Sequence, residues 1–399
     1  MDKYLIINAG SSSLKFSLYD YDKELLMKGY IERIGKEDSF WNIKIGNDKV
    51  SGKKYLANHK DAVNVMLEEM LSSGIINSFD DISGIGHRIL HGGELYSSSV
   101  IIDDKVLKNI KSLINLGPLH LPSEIQIIEI MKNKYPNIKN VAIFDTSFHH
   151  TIDKVNYMYP VPYEWYSEYG VRKYGFHGTS YRYITKRMQK YFSRDDVNLI
   201  VCHIGSGASV DVISNGISLD TSMGLTPLDG LMMGTRSGSI DASIVEYIAR
   251  ETNKSIKEIN DDLNKNSGLY GICGCNDYRD VIALCDNNDE KGKLALSMLC
   301  NSIIKYISYY YFLLDGKLDA IIFTAGIGEN GIKLREMVVN KIANIIDTKL
   351  DIDKNNSIAS FLDRKEGIVS TEASSVKVMV IATDEEEMML EDTIMLCNK

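Results

Sequence analysis

The 399-residue sequence has few cysteines and prolines, no concentrated positive charge and no long hydrophobic run. No apolar stretch approaches the roughly 18 residues of a membrane-spanning helix. The start, MDKYLIINAG, lacks the charged region, apolar core and cleavage site of a signal peptide. The formal net charge is -9, and no Lys/Arg-rich tract marks a surface for nucleic acid or acidic lipid. The sequence therefore predicts a cytoplasmic protein that binds neither nucleic acid nor membrane.

The six cysteines predict neither disulfides nor a metal site. A disulfide framework is typical of much shorter secreted chains, so we expect reduced thiols. Cys273 and Cys275 lack a second Cys/His pair at zinc-finger spacing, which argues against a metal at this position.

The length and the proline pattern predict two domains. A single hydrophobic core stops growing at roughly 250 to 300 residues, which this chain exceeds. Two of the six prolines lie in YPVPYEWY, just after the DTSFHH stretch, and the strand VKVMVIAT runs into the acidic cluster DEEE near 383–387. We therefore expect one domain over 1–150 plus 386–399 and a second over 151–385.

Hydrophobic periodicity alternates between the two-residue period of strands and the 3.6-residue period of helices, which predicts an α/β fold. Strands are predicted near 3–7, 14–19, 141–145, 198–203, 208–213, 319–324 and 376–382.

A corner rich in small residues occurs twice. YLIINAGSSSLKFSLYD places Asn8 and Gly10 between two apolar-rich stretches, and LIVCHIGSGASVDVIS repeats this plan with His203 and Gly205. Alone, the first corner is compatible with a slack hairpin loop or with a backbone cradle for an anion. A slack loop has no reason to recur with the same layout, so the repeat favours paired phosphate cradles that face each other across an interdomain cleft.

A third glycine corner, DAIIFTAGIGENG, has the Gly-x-Gly-x-x-Gly spacing of dinucleotide sites in Gly326, Gly328 and Gly331, with Asp347 further on. Too little chain follows for a two-part nicotinamide domain, so a nucleotide contact is expected here but a dehydrogenase is disfavoured. No P-loop motif is present, so the P-loop architecture is not expected either. Three such corners supply backbone N–H groups for several phosphates, which indicates ATP. Lys15, after the first corner, is either a phosphate contact or a solvated strand residue.

Histidine and arginine recur in short glycine-flanked segments: GHRILHGG with Arg88, LGPLHLP with His120, KYGFHGTS with His177 and GLMMGTRSGSID with Arg236. Arginine suits a carboxylate or a phosphoryl group in transfer, because its planar fork donates two parallel charged hydrogen bonds. Singly, each residue is better explained by a structural role; jointly, they favour an anion-handling site.

Other polar residues near these segments have different interpretations. His87 and His91 have i, i+4 spacing, but HExxH is absent and the following glycines end any helix, so no metal site is predicted there. In FDTSFHH, Asp145 lies at a strand end, where catalytic groups of α/β proteins often lie. His149 and His150 are interpreted as polar loop residues.

Together these segments resemble the acetate kinase family over essentially the whole chain. The resemblance is carried by INAGSSSLK, GHRILHGG, FDTSFHHT, YPVPYEWY, YGFHGTS, GLMMGTRSG, FTAGIGEN and the final TDEEE. It implies duplicated ribonuclease-H-like domains, the actin-like ATPase fold, with an interdomain active-site cleft. It also implies an N-terminal domain for acyl substrate and phosphate, closed by the C-terminal segment, and a second domain for nucleotide binding and homodimer formation.

The resemblance implies a role for each matching residue. The implied catalytic residues are Asp145, His177, Arg236 and His120. The implied substrate residues are Arg88 for the carboxylate and Leu90, Leu119, Phe176 and Pro227 for the methyl group. The implied ATP contacts are Lys15, His203, Ile204, Gly205, Ser206, Gly207, Asp277, Tyr278, Arg279, Gly326, Ile327, Gly328, Glu329 and Asn330. Asn8 and Glu385 are implied to bind Mg²⁺, with Mn²⁺ as an alternative.

Three positions depart from the common family pattern. Ser206 and Asp384 each stand where Asn is common, which leaves the phosphoryl donor open between ATP and pyrophosphate, although FTAGIGEN favours ATP. Leu90 replaces a common Val, and one methylene changes discrimination by only about 1 to 3 kcal/mol, so acetate is expected over propionate, with butyrate poor.

The expected function is reversible, Mg²⁺-dependent transfer of the ATP γ-phosphoryl to acetate, giving acetyl phosphate and ADP. A kinase for propionate or another short carboxylate is the first alternative, and a non-kinase actin-like ATPase is the second.

Overall fold

The computed structural model describes residues 2–358 and 366–398. By its internal contacts the chain divides into a first unit, Met1–Phe148 with Asp384–Lys399, and a second unit, His149–Thr383. Each unit contains one mixed β-sheet. Within the described residues, no helix combines the length and the apolar composition that crossing a membrane requires.

The strands and helices alternate along the chain. The strands are β1 (Lys3–Ala9), β2 (Ser13–Asp20), β3 (Leu25–Glu32), β4 (Phe40–Ile45), β5 (Asp48–Lys53), β6 (Ile82–Ile89), β7 (Val100–Ile101), β8 (Lys139–Phe144), β9 (Leu199–Ile204), β10 (Ala208–Ser214), β11 (Ile217–Thr221), β12 (Ala320–Thr324), β13 (Gly367–Ile368) and β14 (Lys377–Val380). The helices are α1 (His59–Ser72), α2 (Asp104–Ser112), α3 (Leu121–Lys134), α4 (Lys154–Tyr157), α5 (Tyr163–Tyr169), α6 (Gly178–Phe192), α7 (Ser243–Thr252), α8 (Ile256–Lys265), α9 (Gly268–Cys273), α10 (Tyr278–Asp286), α11 (Glu290–Leu313), α12 (Ala325–Asn330), α13 (Ile332–Ile342), α14 (Ile352–Ser357) and α15 (Glu385–Cys397). Every strand predicted from periodicity is present, and the α/β class is confirmed.

The sheet of the first unit has the strand order β5-β4-β3-β2-β1-β6-β8-β7. β1 and β2 form an antiparallel hairpin, whereas β1, β6 and β8 are parallel. Successive side chains of β1 point to opposite faces: Leu5 and Ile7 pack in the core with residues of α1 and α3, and Tyr4 and Ile6 pack with residues of α15. Helices therefore cover both faces of the parallel part of this sheet.

The central strand β6 is rich in glycine because α15 packs closely against it. A Cβ on Gly84 would collide with the side chain of Cys397, and a Cβ on Gly86 would collide with that of Thr393. Glycine at these two positions lets the C-terminal helix approach the strand that carries Arg88.

The sheet of the second unit has the order β11-β10-β9-β12-β14-β13. β9 and β10 form an antiparallel hairpin, and β9, β12 and β14 are parallel. The 24-residue helix α11 packs against β9, β10, α9, α10 and α13. The Asp289 carboxylate caps its start by accepting from the Gly292 N–H at 2.7 Å.

The two sheets share one topology over six strands. The order β3-β2-β1-β6-β8-β7 in the first unit corresponds position by position to β11-β10-β9-β12-β14-β13 in the second, with the same parallel and antiparallel pairs. The repeat predicted from two short corners therefore extends through both sheets, and the duplicated fold is confirmed.

Candidate active site

The turn between β1 and β2 is held from two sides. The Gly10 N–H donates to the Ser13 carbonyl at 2.9 Å, and Nε2 of His59, the first residue of α1, lies 2.8 Å from the Gly10 carbonyl. A Cβ on Gly10 would lie only 2.5 Å from Ser13 Oγ, so a larger residue here would displace that hydroxyl group. Lys15 is exposed on β2 opposite Asn8. A fixed turn beside an exposed cation is suited to an anion.

Arg88, the penultimate residue of β6, forms a bidentate pair with a carboxylate. Its Nε donates to Asp145 Oδ1 at 3.2 Å, its Nη2 to Asp145 Oδ2, and its Nη1 to Asn8 Oδ1 at 3.3 Å. Asp145 directly follows β8, and its N–H donates to the Ile89 carbonyl at 3.0 Å, so the parallel pairing of β6 and β8 brings the two side chains together. Burial opposes the charge of Arg88, but Asp145 and Glu385 raise its pKa. Arg88 is therefore a fixed, partly buried cation.

Two further carboxyl groups near Arg88 hold their protons more tightly than usual. Burial raises the pKa of Glu124 to about 8. Burial, followed by the charge of Asp145, raises the pKa of Glu385 to about 7. Together with Asp145 they surround one guanidinium with three carboxyl groups.

Asp384 caps the helix that Glu385 begins. Its carboxylate accepts from the Glu387 N–H at 3.0 Å at the start of α15. Asp and Asn are about equally good at this position of a helix. Either residue at position 384 would therefore cap α15.

The turn between β9 and β10 repeats the first corner in the second unit. The Gly205 N–H donates to the Gly207 carbonyl at 3.1 Å. A Cβ on Gly207 would lie 3.4 Å from His177 Nε2 and 3.5 Å from Arg236 Nη1. His177 and Arg236 therefore both lie close to the backbone of this turn.

Arg236 carries a charge without a neighbouring carboxylate. Its Nη1 donates to the Pro227 carbonyl at 3.2 Å, and in the part of the chain that the structure describes no Asp or Glu forms an ion pair with it. Burial lowers its pKa, so the guanidinium is incompletely stabilised by the protein alone. A partly buried arginine of this kind is suited to an anionic ligand.

His177 is oriented by its backbone and by two neighbours. It adopts φ +60° at the start of α6, a conformation that is uncommon outside glycine. Its Nδ1 lies 2.8 Å from Ser209 Oγ, and its ring stacks on His203 with centroids 4.1 Å apart. With these contacts the ring points its Nε2 towards Gly207.

His149 supports the same segment, and the interpretation of His149 as a polar loop residue is wrong. The side chain is fully buried, with Nδ1 3.0 Å from Ser218 Oγ and 3.2 Å from Asp211 Oδ1. Its Nε2 lies 2.9 Å from the carbonyl of Phe176, the residue before His177. Nothing local in FDTSFHH signals these partners, because they come from β10, β11 and the segment before α6.

A cavity of about 320 Å³ adjoins the second turn. Its lining consists of Gly205, Ser206, Gly234, Asn276, Asp277, Tyr278, Arg279, Gly326, Ile327 and Asn330. All of these residues except Gly234 and Asn276 are among the ATP contacts that the family resemblance implies. The volume is within the range typical of small-molecule sites.

The third glycine corner is helical. Gly326 and Gly328 lie inside the short helix α12, and Ala325 before them adopts φ +64°. A Cβ on Gly326 would meet no atom within 4 Å, so this glycine forms open wall of the cavity. The Glu329 carboxylate accepts from the Thr383 N–H at 3.3 Å.

The acetokinase family model matches residues 3–391. The acetate kinase of Carboxydothermus hydrogenoformans is 44% identical over 400 residues, which cover 99% of this chain and 99% of that protein. The chain belongs to the acetokinase family.

Solved structures of two acetokinase relatives share the fold. A propionate kinase from Francisella tularensis has a TM-score of 0.93 at 39% identity, covering 99% of this chain and 100% of its own. The acetate kinase of Porphyromonas gingivalis has a TM-score of 0.92 at 35% identity, covering 99% and 100%.

In this acetokinase family member, a buried arginine that sequence analysis missed holds the wall of the cavity. Arg335 is fully buried, and its Nη1 donates to the carbonyls of Gly328 at 2.8 Å and Glu329 at 2.9 Å. Its Nε donates to Asn355 Oδ1 at 2.7 Å. Burial lowers its pKa to about 10, which leaves it charged at neutral pH. Arg335 thus satisfies carbonyls near the end of α12.

The residues implied to line an acyl pocket differ in exposure. In the first unit, Leu90 is buried and Leu119 is 62% exposed, directly before His120. In the second unit, Phe176 is buried, and Pro227 is half-buried with its carbonyl bound by Arg236. Their joint role in acyl binding stays a prediction.

Proposed function

We propose that the chain transfers the γ-phosphoryl group of ATP to acetate, reversibly and with Mg²⁺, giving acetyl phosphate and ADP. The observation that carries this proposal lies in the second unit. The cavity wall formed by Gly205 and Ser206 continues into Gly207, where His177 and Arg236 converge. A nucleotide in the cavity would present its terminal phosphates to these two side chains.

The proposed chemistry needs positioning and charge neutralisation more than a strong base. Acetate is already an anion at neutral pH, so one of its oxygens attacks the γ-phosphorus directly. The bond from the γ-phosphorus to the β–γ bridging oxygen breaks, and ADP leaves with that oxygen. Arg236 would neutralise charge on the equatorial oxygens of the transferred group, and a hydrogen bond from Nε2 of His177 would help to stabilise them. The cation at Arg88 would bind the acetate carboxylate.

The donor set near Arg88 fits a magnesium ion. Asn8 and Glu385 offer amide and carboxylate oxygens, the hard ligands that Mg²⁺ prefers, usually as one or two protein groups together with substrate phosphates. When bound, Mg²⁺ would neutralise phosphate charge. We propose that Asn8 and Glu385 bind this ion.

We assign Asp145 an orienting role. Both of its carboxylate oxygens accept hydrogen bonds from Arg88, which fixes the plane of the guanidinium. A carboxylate engaged in this way is poorly placed to abstract a proton, and the acceptor has none to lose.

We also propose a cytoplasmic homodimer that forms through the second unit. Large apolar side chains of α11 are exposed there, among them Met298, Tyr309 and Phe312. Exposed apolar side chains of this size are typical of interaction surfaces. Sedimentation of the purified protein checks the stoichiometry.

The test is acyl-phosphate formation, trapped as hydroxamate, with acetate, propionate and butyrate, each with Mg-ATP and with pyrophosphate. We expect product with acetate and ATP that is lost in Arg88→Ala. Arg33→Ala is the matched control, because Arg33 is exposed on the same unit and pairs with Asp38. Absence of product with every acceptor and donor would overturn the proposal and favour a nucleotide-gated scaffold, which filament formation would reveal.

A propionate kinase is the second candidate. The Francisella tularensis relative with the TM-score of 0.93 is named for that activity. The single methylene that separates the acceptors changes discrimination by only about 1 to 3 kcal/mol. We expect kcat/KM to be higher for acetate, and a higher value for propionate would select the second candidate.

A further inference from the structure

Glu124 is a buried carboxyl group with only one of its oxygens satisfied. It lies in the first turn of α3 and is 2% exposed. Its Oε2 accepts from the Leu90 N–H at 3.0 Å. Its Oε1 is buried, and within residues 2–358 and 366–398 it finds no hydrogen-bond partner.

The groups that face Glu124 belong to the acceptor site. Arg88 on β6 and Asp145 after β8 both act electrostatically on Glu124. His120 is the residue just before α3, one helical turn before Glu124. Arg88 is also acted on by Glu385. Three ionised carboxylates around one guanidinium would make the site net negative, and such a site would repel an acetate anion.

The burial of Glu124 favours its neutral form. An ionised oxygen without a hydrogen-bond partner in an apolar environment is costly, because the protein replaces none of the lost hydration. Burial accordingly raises the pKa of this carboxyl to about 8. At neutral pH Glu124 is therefore mostly protonated, and Oε2 still accepts from Leu90.

We propose that Glu124 is a positioning residue for the acceptor carboxylate: it fixes the backbone just after Arg88 through Leu90, and its charge state sets how much of the positive charge of Arg88 remains for the substrate. This inference rests on the proposed function. It adds a pH-dependent control of acceptor affinity to that function.

The consequence is a specific pH dependence. Acetate stays ionised throughout the neutral and mildly alkaline range, so its own titration does not contribute. As Glu124 ionises above about pH 8, its negative charge is added to those of Asp145 and Glu385 near Arg88, and acetate binding weakens. The effect belongs to KM for acetate and not to KM for ATP, because the proposed nucleotide contacts lie on other elements.

The experiment measures KM for acetate and for ATP at about pH 7 and about pH 9 in the full-length protein and in Glu124→Gln. The amide keeps an oxygen for the Leu90 N–H but cannot ionise. We expect KM for acetate to rise about five- to tenfold between the two pH values in the unmodified chain and less than about twofold in the variant. Glu129→Gln is the matched control: Glu129 is on the same helix, partly exposed and paired with Lys111, so its variant should keep the full rise.

The possible outcomes separate this inference from the proposed function. Activity with acetate, together with the same KM rise in Glu124→Gln as in the unmodified chain, overturns the role of Glu124 and leaves the function intact. Infrared difference spectra between the same pH values report the proton without any turnover. A protonated-carboxyl band that disappears at high pH and is absent from Glu124→Gln supports the inference, and an unchanged spectrum in the variant overturns it even in a protein that does not use acetate.

Discussion

The two units share one strand topology, but carboxyl groups surround Arg88 in the first unit, whereas Arg236 in the second unit contacts a backbone carbonyl. In the first unit, Arg88 at the end of β6 is held by Asp145 and lies near Glu124 and Glu385. In the second, Arg236 has hydrogen bonds to a carbonyl but no carboxylate partner among the described residues. The first arrangement suits a metal ion and a small monoanion, and the second suits the concentrated negative charge of phosphates. Two copies of one fold can therefore carry different charges around their arginines and suit different anions.

The largest expected effect comes from removing the unpaired arginine. Arg236→Ala should lower kcat by about a thousandfold, because a charged donor that neutralises a transferring phosphoryl group is lost. Steady-state rates of ADP formation measure the change. Arg250→Ala is the control, since Arg250 is exposed and pairs with Glu246. A loss of less than about tenfold would remove Arg236 from the proposed transition state.

The function of Arg88 should depend on the orientation that Asp145 gives its guanidinium. Asp145→Ala leaves the partly buried Arg88 without its bidentate partner, and we expect kcat/KM for acetate to fall by about a hundredfold. Asp145→Asn keeps an oxygen acceptor and should stay within about tenfold of the unmodified chain. If the Asn variant is as inactive as the Ala variant, the negative charge of Asp145 matters more than its orienting role.

Arg88 and Arg236 could be selected from sequence as candidate site residues because the signals around them are local. Glycine corners and alternating apolar residues lie within a few positions of each other, so the two hairpins and the repeat could be predicted. β6 was not predicted as a strand because Gly84 and Gly86 interrupt its pattern. They are required by α15, which lies some three hundred residues away in the chain.

The roles of His149, Arg335 and Glu124 could not be predicted, because each of them has a partner that is distant in the sequence. His149 binds groups on β11 and before α6, Arg335 binds the end of α12 and Asn355, and Glu124 binds the residue after β6. In each case the partner is fixed by tertiary structure, and the residue alone resembles an ordinary surface His, Arg or Glu.

The cavity beside the turn between β9 and β10 offers a third test of the difference between the two units. A Cβ on Gly326 would meet no protein atom within 4 Å, so Gly326→Ala should leave the melting temperature unchanged or slightly raised. The added methyl would occupy cavity space, and we expect KM for ATP to rise about tenfold while KM for acetate changes little. An equal rise in both constants would contradict the assignment of this cavity to the nucleotide.

The smallest expected effect is on stability, and it again concerns the carboxyl-rich unit. The pKa of Glu124 is raised to about 8 from a usual value of 4.5, so between these values the folded chain binds more protons than the unfolded chain. The free energy of unfolding should therefore fall as pH rises through this window, since ionising a buried carboxyl favours unfolding. Glu385, with its pKa raised to about 7, contributes in the same direction up to that pH.

The difference between the unmodified chain and Glu124→Gln isolates one of these two groups. Urea unfolding at about pH 6 and about pH 9 should show a loss of stability in the unmodified chain that is smaller by a few kcal/mol in the variant, because only Glu385 still titrates there. The second unit offers the comparison: among residues 2–358 and 366–398 no carboxylate pairs with Arg236, so Arg236→Ala should leave the pH dependence of unfolding as it is in the unmodified chain. A pH dependence that Glu124→Gln does not reduce would mean that Glu124 is already ionised at neutral pH, and the first unit would then bind its acceptor anion against three negative charges.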